Sequence, residues 1–185
     1  MVYDKVIQGL TVRLRQIEES DAELTFKMRS DTKKSRFVRP VKGTVEDQLN
    51  FIRWQRNEPD DYLFIIEDLN HNPIGMKGIY NFDHKKNEVE TGRFIGYGSQ
   101  VQNIEALKLS FDFAFDVLNA DHIVMSALEN NDVMLGIQKR FGAVFTYRDR
   151  YEELDYDNLH SVLTRDAYAV SRPKVEVLIK RFANR

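Results

Sequence analysis

The chain has 185 residues, enough to bury one apolar core and few for two, so a single domain is expected. Hydrophobic residues at 42% and charged residues at 30% exclude collagen-like and disordered classes, and 27 basic against 29 acidic side chains leave no global positive field to hold nucleic acid. With no cysteine there is no disulfide framework, no thiolate metal cluster and no cysteine nucleophile.

In chain order, Leu10 to Arg15 alternates apolar and polar residues and predicts the first strand. Ser20-Asp21-Ala22-Glu23 matches a capping box and predicts a helix from there to about Ser30. From Arg29 to Lys42 the chain carries Arg29, Lys33, Lys34, Arg36, Arg39 and Lys42 against the single acid Asp31, with Pro40 and Gly43 interrupting regular structure; this reads as a basic loop. Thr44 caps a second helix with Val45, Leu49 and Ile52 on one apolar face, ending near Arg56, and Trp54, the only tryptophan, lies near its end. Tyr62 to Glu67 and Ile74 to Phe82 form a hairpin around Asn70-His71-Asn72-Pro73, and the polar turn Asp83 to Asn87 leads into a further strand, Glu88 to Gly96.

The period then changes. Ile104, Leu107, Phe111, Ala114, Phe115 and Leu118 recur at spacings of three and four, predicting an amphipathic helix from about Asn103 to Leu118, with a short strand at Asp121 to Ala127 behind it. Strand, helix, strand with brief connections is the grammar of a parallel pair with a right-handed crossover. A helix from Asn131 to Phe141 stops at Gly142, strands follow near Ala143 to Glu152 and Leu159 to Thr164, and the tail from Pro173 to Phe182 is helical. The fold class expected is α/β, one domain built on a mixed, mostly antiparallel sheet flanked by helices. No run approaches the roughly 20 apolar residues that span a bilayer. Met1 to Lys5 lacks the start of a secretory leader, so no membrane association and a cytoplasmic location are expected.

Chemistry is suggested where the pattern breaks. The strand Glu88 to Gly96 is central in this order yet carries Glu90, Thr91 and Arg93, which either neutralise one another or face a polar cleft. Gly92 and Gly96 in the same strand mark a bulge or the close approach of a backbone or ligand. The loop from Tyr97 to Asn103 feeds a helix N-terminus, whose free amides and positive dipole end suit a phosphate, although it is neither a P-loop nor a dinucleotide fingerprint. His71, His84, His122 and His160 share no metal-like spacing, so no metal is assigned, and no serine sits in a hydrolase elbow.

With the segments Ile74-Gly75, Glu90-Thr91-Gly92-Arg93-Phe94-Ile95-Gly96, Ile104-Glu105-Ala106-Leu107 and Asn131 through Gly142, the chain resembles the GNAT superfamily of acyl-CoA-dependent N-acetyltransferases over about residues 10–165, with a helical tail at about 166–185. The Ile-Glu-Ala-Leu segment is similar to that of the subgroup acting on ribosomal-protein termini and nucleotide-linked aminosugars. The resemblance implies acetyl-CoA as co-substrate, its pantetheine arm lying along Phe94, Ile95 and Gly96, its phosphates cradled by Gln100, Val101, Gln102, Asn103 and Ile104, and Asn131 touching the arm. Lys139 and Arg140 would meet its 3′-phosphate or merely decorate a helix end. Two departures stand out. The loop positions where the family carries Gln or Arg, then Gly, then Gly or Ala hold Gly98, Val101 and Asn103, and Val101 is poorly suited to positive φ. Where the family often has a tyrosine that protonates the leaving thiolate stands Gln138, which leaves Tyr97 and Tyr147 as acids by residue type alone.

Glu90 is the expected base, because a carboxylate in a partly dry cleft holds its proton to higher pH, and Tyr80 on the neighbouring strand would order a bridging water. Arg36 and Arg39 of the basic loop would grip an anionic acceptor such as a nucleotide-linked aminosugar; a peptide N-terminus is the other amine in view. The activity expected is direct acetyl transfer to a primary amine by a monomer or homodimer. A non-catalytic acyl-CoA-binding or interaction module on the same scaffold is the alternative.

Overall fold

The structure is a computed structural model and describes residues 2–183. Eight strands form one sheet: β1 (Ile7–Gln8), β2 (Val12–Gln16), β3 (Tyr62–Asp68), β4 (Pro73–Asp83), β5 (Glu88–Gly96), β6 (His122–Leu128), β7 (Val144–Tyr151) and β8 (Tyr156–Thr164). Their spatial order is β1-β2-β3-β4-β5-β6-β8-β7, antiparallel throughout except for the parallel pair β5–β6. The α-helices are α1 (Ala22–Ser30), α2 (Val45–Asn57), α3 (Gln100–Asp112), α4 (Asp132–Phe141) and α5 (Arg165–Ala183). The expected mixed, mostly antiparallel sheet flanked by helices is therefore present, and no helix among the described residues is long and apolar enough to cross a membrane.

Side-chain alternation along the central strands separates two cores. On one face Phe64 and Ile66 of β3, Ile79 of β4, Val89 of β5 and Ile123 of β6 pack beneath α3 and α5. On the other, Leu63 and Ile65 of β3, Met76 of β4 and Ile95 of β5 pack with Ile52 of α2 and Met28 of α1. Being covered on both sides, β3 is apolar at every position from Tyr62 to Ile66, the pattern expected of a fully buried strand.

Several boundaries differ from expectation, each for a local reason. Ser20 does not cap α1: Asp21 takes that place, accepting from the Glu18 amide at 2.8 Å in a short 3-10 turn and pairing bidentately with Arg15. Thr44 does cap α2, in a reciprocal box with Asp47. The buried face of α2, however, is Gln48, Ile52 and Gln55, and Val45 is exposed. α3 begins at Gln100 rather than Asn103, because Ser99 and Gln102 form a capping box, and it ends in a π-helical turn (Phe113–Val117) that buries Phe113 against Tyr3, Tyr62 and Phe64. The tail helix starts eight residues before Pro173, since Tyr168 docks its hydroxyl on Asp112 at 2.7 Å and Ser171 donates to the Phe141 carbonyl at 2.6 Å. That docking offsets the backbone hydrogen bond Pro173 cannot make. The last two residues of the expected tail lie outside the described residues.

One buried carboxylate ties the sheet edge to α3. Glu105, 3% exposed, accepts from the amides of Leu10 and Thr11 at 2.6 and 2.7 Å and from the Thr11 hydroxyl. Charge-assisted bonds of this kind contribute about 1.5–3 kcal/mol each. Glu105→Gln keeps the volume but faces one donor with another, so we expect a loss of about 2 kcal/mol and a fall in melting temperature of roughly 4–8 °C. Calorimetry showing an unchanged melting temperature would contradict that assignment.

Candidate active site

The sheet opens at its centre. β5 and β6 are paired only at Glu88↔His122, Val89↔Ile123 and Glu90↔Val124; beyond Glu90 the two strands part. On its other edge β5 stays attached to β4, but the register slips between Met76↔Ile95 and Gly78↔Gly92. Arg93 sits at that slip with φ of 52°, a left-handed conformation that costs a non-glycine residue energy and is found at bulges beside functional sites. Gly92 beside it is obligatory, because a Cβ there would collide with the Tyr80 hydroxyl. The result is a cleft of about 680 Å³ that crosses the sheet, lined on one side by Leu107, Phe111, Ile137 and Gln138 and on the other by Arg29, Phe51, Tyr80 and Arg93.

On the α1–α2 side the polar groups are held by one another. Glu90 accepts from the Tyr80 hydroxyl at 3.1 Å and from Asn81 Nδ2 at 2.9 Å, so Tyr80 touches Glu90 directly. Burial, and then the Glu90 charge, push the Tyr80 phenol well above its ordinary range. Arg93 does not pair with Glu90: it forms a fork with Asp61 at 2.7 and 2.9 Å and lies over the rings of Tyr80 and Phe51. Arg29, half-buried at the end of α1, donates to Gln48 Oε1 at 3.1 Å, and among the described residues no carboxylate lies within ion-pair distance of it. Its pKa is lowered by burial first and then by the charges of Arg93 and Arg39.

The opposite side is set by β4, α3 and α4. Lys77, on the same face as Phe64 and Ile79, lines the cleft at 3% exposure, and burial lowers its ammonium to about 7 against the opposing pull of Glu90. The Oγ1 of Thr91, also in the lining, is buried without a hydrogen-bond partner. At the foot of the gap, the Ser99–Gln102 box and the bond from the Asn103 amide to the Ser99 carbonyl at 3.0 Å use the amides of Ser99, Gln102 and Asn103. The amides of Gln100 and Val101, the first two positions of α3, keep no partner among the described residues. Val101 has no positive φ; it is helical and half-buried against the apolar core, so the substitution expected to distort the loop does not.

Of the residues singled out from sequence, Glu90, Tyr80, Phe94, Ile95 and Asn131 line the cleft together, while Gly96 and Gln100 to Ile104 lie along or below its end. Asn131 Oδ1 accepts from the Met134 amide at 3.2 Å, so its oxygen is committed to the cap. Tyr97 is not brought to the site: its hydroxyl donates to Asp31 at 2.9 Å, and its phenol is pushed up to about 12, by burial and then by that bond. Tyr147 is 60% exposed and stacks on His160. Arg36 is exposed over the ring of Phe37, a residue of the cleft wall, and Arg39, at the mouth of the cleft, is already forked to Glu153 at 2.8 and 3.0 Å. Gln138 stands buried in the wall, accepting from Ser161 at 3.1 Å. The two residues sequence reading passed over are Arg29 and Lys77; the visible signal for Lys77 was a lysine in the middle of an otherwise apolar, central strand.

Comparison with known proteins agrees with this geometry. The model of the acetyltransferase (GNAT) domain matches residues 11–144. A search of curated proteins finds no match. Among solved structures, the chain is similar to apo FdhC, described as a nucleotide-linked sugar GNAT (21% identity, TM-score 0.80, 93% of this chain and 97% of that one). It is also similar to a GCN5-related N-acetyltransferase from Brucella melitensis (16%, TM-score 0.79, 96% and 86%). A third is spermidine N-acetyltransferase from Vibrio cholerae in complex with CoA and spermine (14%, TM-score 0.79, 87% and 99%). With the family model spanning well over half of the chain and the parted strands at its centre, the protein belongs to the GNAT acetyltransferase family.

Proposed function

We propose that the protein transfers an acetyl group from acetyl-CoA to the primary amine of an anionic acceptor, of which a nucleotide-linked aminosugar is the class that fits best. The observation that carries the reading is the unpaired β6-facing edge of β5 from Thr91 to Gly96 beside an open cleft. A strand edge with free amides and carbonyls suits an extended, amide-containing arm, which adds to it as a further strand would. Acetyl-CoA supplies an activated acyl group. Phe94 and Ile95 present the backbone that would hold its arm, and the unpartnered amides of Gln100 and Val101 lie where a pyrophosphate would meet the positive end of α3.

Glu90 acts as the base. Tyr80 and Asn81 fix its two oxygens, and it removes the proton from the acceptor ammonium so that the neutral amine attacks directly. Arg29 supports the anionic acceptor: a half-buried guanidinium facing a cleft without a carboxylate partner favours a phosphate or carboxylate group. It takes the role expected of Arg36 and Arg39, and the likeness to a nucleotide-linked sugar GNAT supports the same acceptor class. A polyamine would bring cations to a pocket that already holds Arg29 without a carboxylate partner among the described residues, whose like charge disfavours it.

Two variants test the reading. Glu90→Gln is expected to lower kcat about a hundred-fold or more while calorimetry shows acetyl-CoA binding within a few-fold of wild type. Undiminished turnover removes Glu90 from the mechanism, and absence of acetyl-CoA binding by the unaltered protein sinks the whole proposal. Arg29→Ala is expected to raise KM for nucleotide-linked aminosugars about tenfold or more with the KM for acetyl-CoA unchanged. If spermidine is acetylated more efficiently than every aminosugar nucleotide in a thiol-release panel, the acceptor class is wrong.

A further inference from the structure

Lys77 stands in the middle of β4, 97% removed from solvent by its 3% exposure, with no hydrogen bond and no ion pair among the described residues. An ammonium group so placed is costly unless it has a use, because desolvation is not repaid by a partner. Its position is specific. The register puts Lys77 between the pairs Gly78↔Gly92 and Met76↔Ile95, opposite the Arg93 bulge, within the stretch of β5 that has already left β6 beyond Glu90. It lies on the face covered by α3, with Thr91 beside it, whereas Glu90, Tyr80 and Arg93 lie on the face covered by α2. A base and a cation therefore flank the same opening from opposite sides of the sheet. Both line one cleft.

Gln138 has no transferable proton and is bonded to Ser161; Tyr97 is bonded to Asp31 away from the cleft; Tyr80 is engaged with Glu90. Other proton-bearing rings of the cleft wall are engaged: Tyr151 donates to Glu153 at 3.3 Å and His160 Nε2 is bonded to Asp149 at 2.9 Å. We propose that Lys77 is the proton donor to the departing thiolate of CoA, a role that rests on the acetyl-CoA reading above. As the acceptor nitrogen bonds to the acyl carbon and the carbon–sulfur bond breaks, the bonding pair stays on sulfur and Lys77 Nζ passes it a proton. Glu90 has taken one proton from the acceptor ammonium before attack, and the second proton, left on nitrogen as the carbon–nitrogen bond forms, goes to solvent. Lys77 is reprotonated from solvent after the thiol leaves, so that ammonium and thioester give amide, thiol and one released proton once Glu90 has discharged its own. An ammonium lowered to about 7 by burial is the stronger acid for that task, and Glu90 is the charge that acts on it from β5.

The test follows pH. Turnover with acetyl-CoA and a fixed amine acceptor is measured against pH for the full chain, for Lys77→Met and for Lys77→Gln, with thermal melting as a check of folding. We expect kcat of the unaltered protein to fall as pH rises past about 7, where Lys77 loses the proton it donates, and this limb to be absent from both variants. Neither variant should melt lower, since a buried cation has been removed. With acetyl-CoA the variants should lose about a hundred-fold in kcat and little in KM. An alkaline limb that persists in both variants, or a kcat that the variants leave unchanged, overturns the proposal while leaving the acetyl-CoA reading intact. Failure of the unaltered protein to bind CoA overturns both.

Discussion

The interaction on which this structure depends is one that stops. Parallel pairing of β5 with β6 lasts three residue pairs and ends at Glu90, and nothing among the described residues completes it. Continuous pairing would have given a closed sheet with one apolar core on each face. Parting the strands instead leaves a backbone edge unsatisfied and lets a cleft pass from one face of the sheet to the other. The remaining sheet has to hold that gap open. On one side the long antiparallel hairpin of β4 and β5 does so, and on the other β6 is clamped to β8 over seven residue pairs.

Energy is stored around the opening in three recognisable forms. Arg93 keeps a left-handed backbone, Thr91 hides a hydroxyl without a partner, and Lys77 holds a cation away from water. A sequence selected for stability alone would have placed apolar residues at the last two positions, where Ile79 and Val89 show how readily this face accepts them. By contrast, the charge network at the closed end of the sheet is fully matched: Glu67 receives Arg13 and Arg15, and Asp21 receives Arg15 again, which raises the Arg15 guanidinium above its ordinary range. Thr91 and Lys77 are thus left unmatched at the cleft, while these charges at the sheet edge are paired.

Local chemistry made some features legible. Thr44 and Asn131 cap the helices they precede and Gly142 ends α4 at a φ of 93°, because each uses only atoms within four residues along the chain. The Ser99–Gln102 box was equally available as a pattern, and it would have moved the start of α3 ahead of Asn103. Ser20 fails as a cap for a different reason: Asp21 is drawn into place by Arg15 of β2, a partner that spacing cannot display. Arg36 and Arg29 belong to one basic stretch and look alike in it. Which of them faces the cleft depends on α1 ending at Ser30 and turning its last side chains under α2, a matter of helix packing.

What the sequence determined by itself is the order of strands and helices from β2 onward, the mixed, mostly antiparallel sheet they build and the polar break at Glu90 to Gly96, since these follow from periodicity and from groups that are neighbours along the chain. Tertiary structure alone decided which polar groups meet across the opening, that Arg93 belongs to Asp61 and Tyr97 to Asp31, and that Lys77 and Arg29 are left without an anion. Pairing of charges is a property of distances in space, and a chain that folds back on itself sets those distances only when its sheet is assembled.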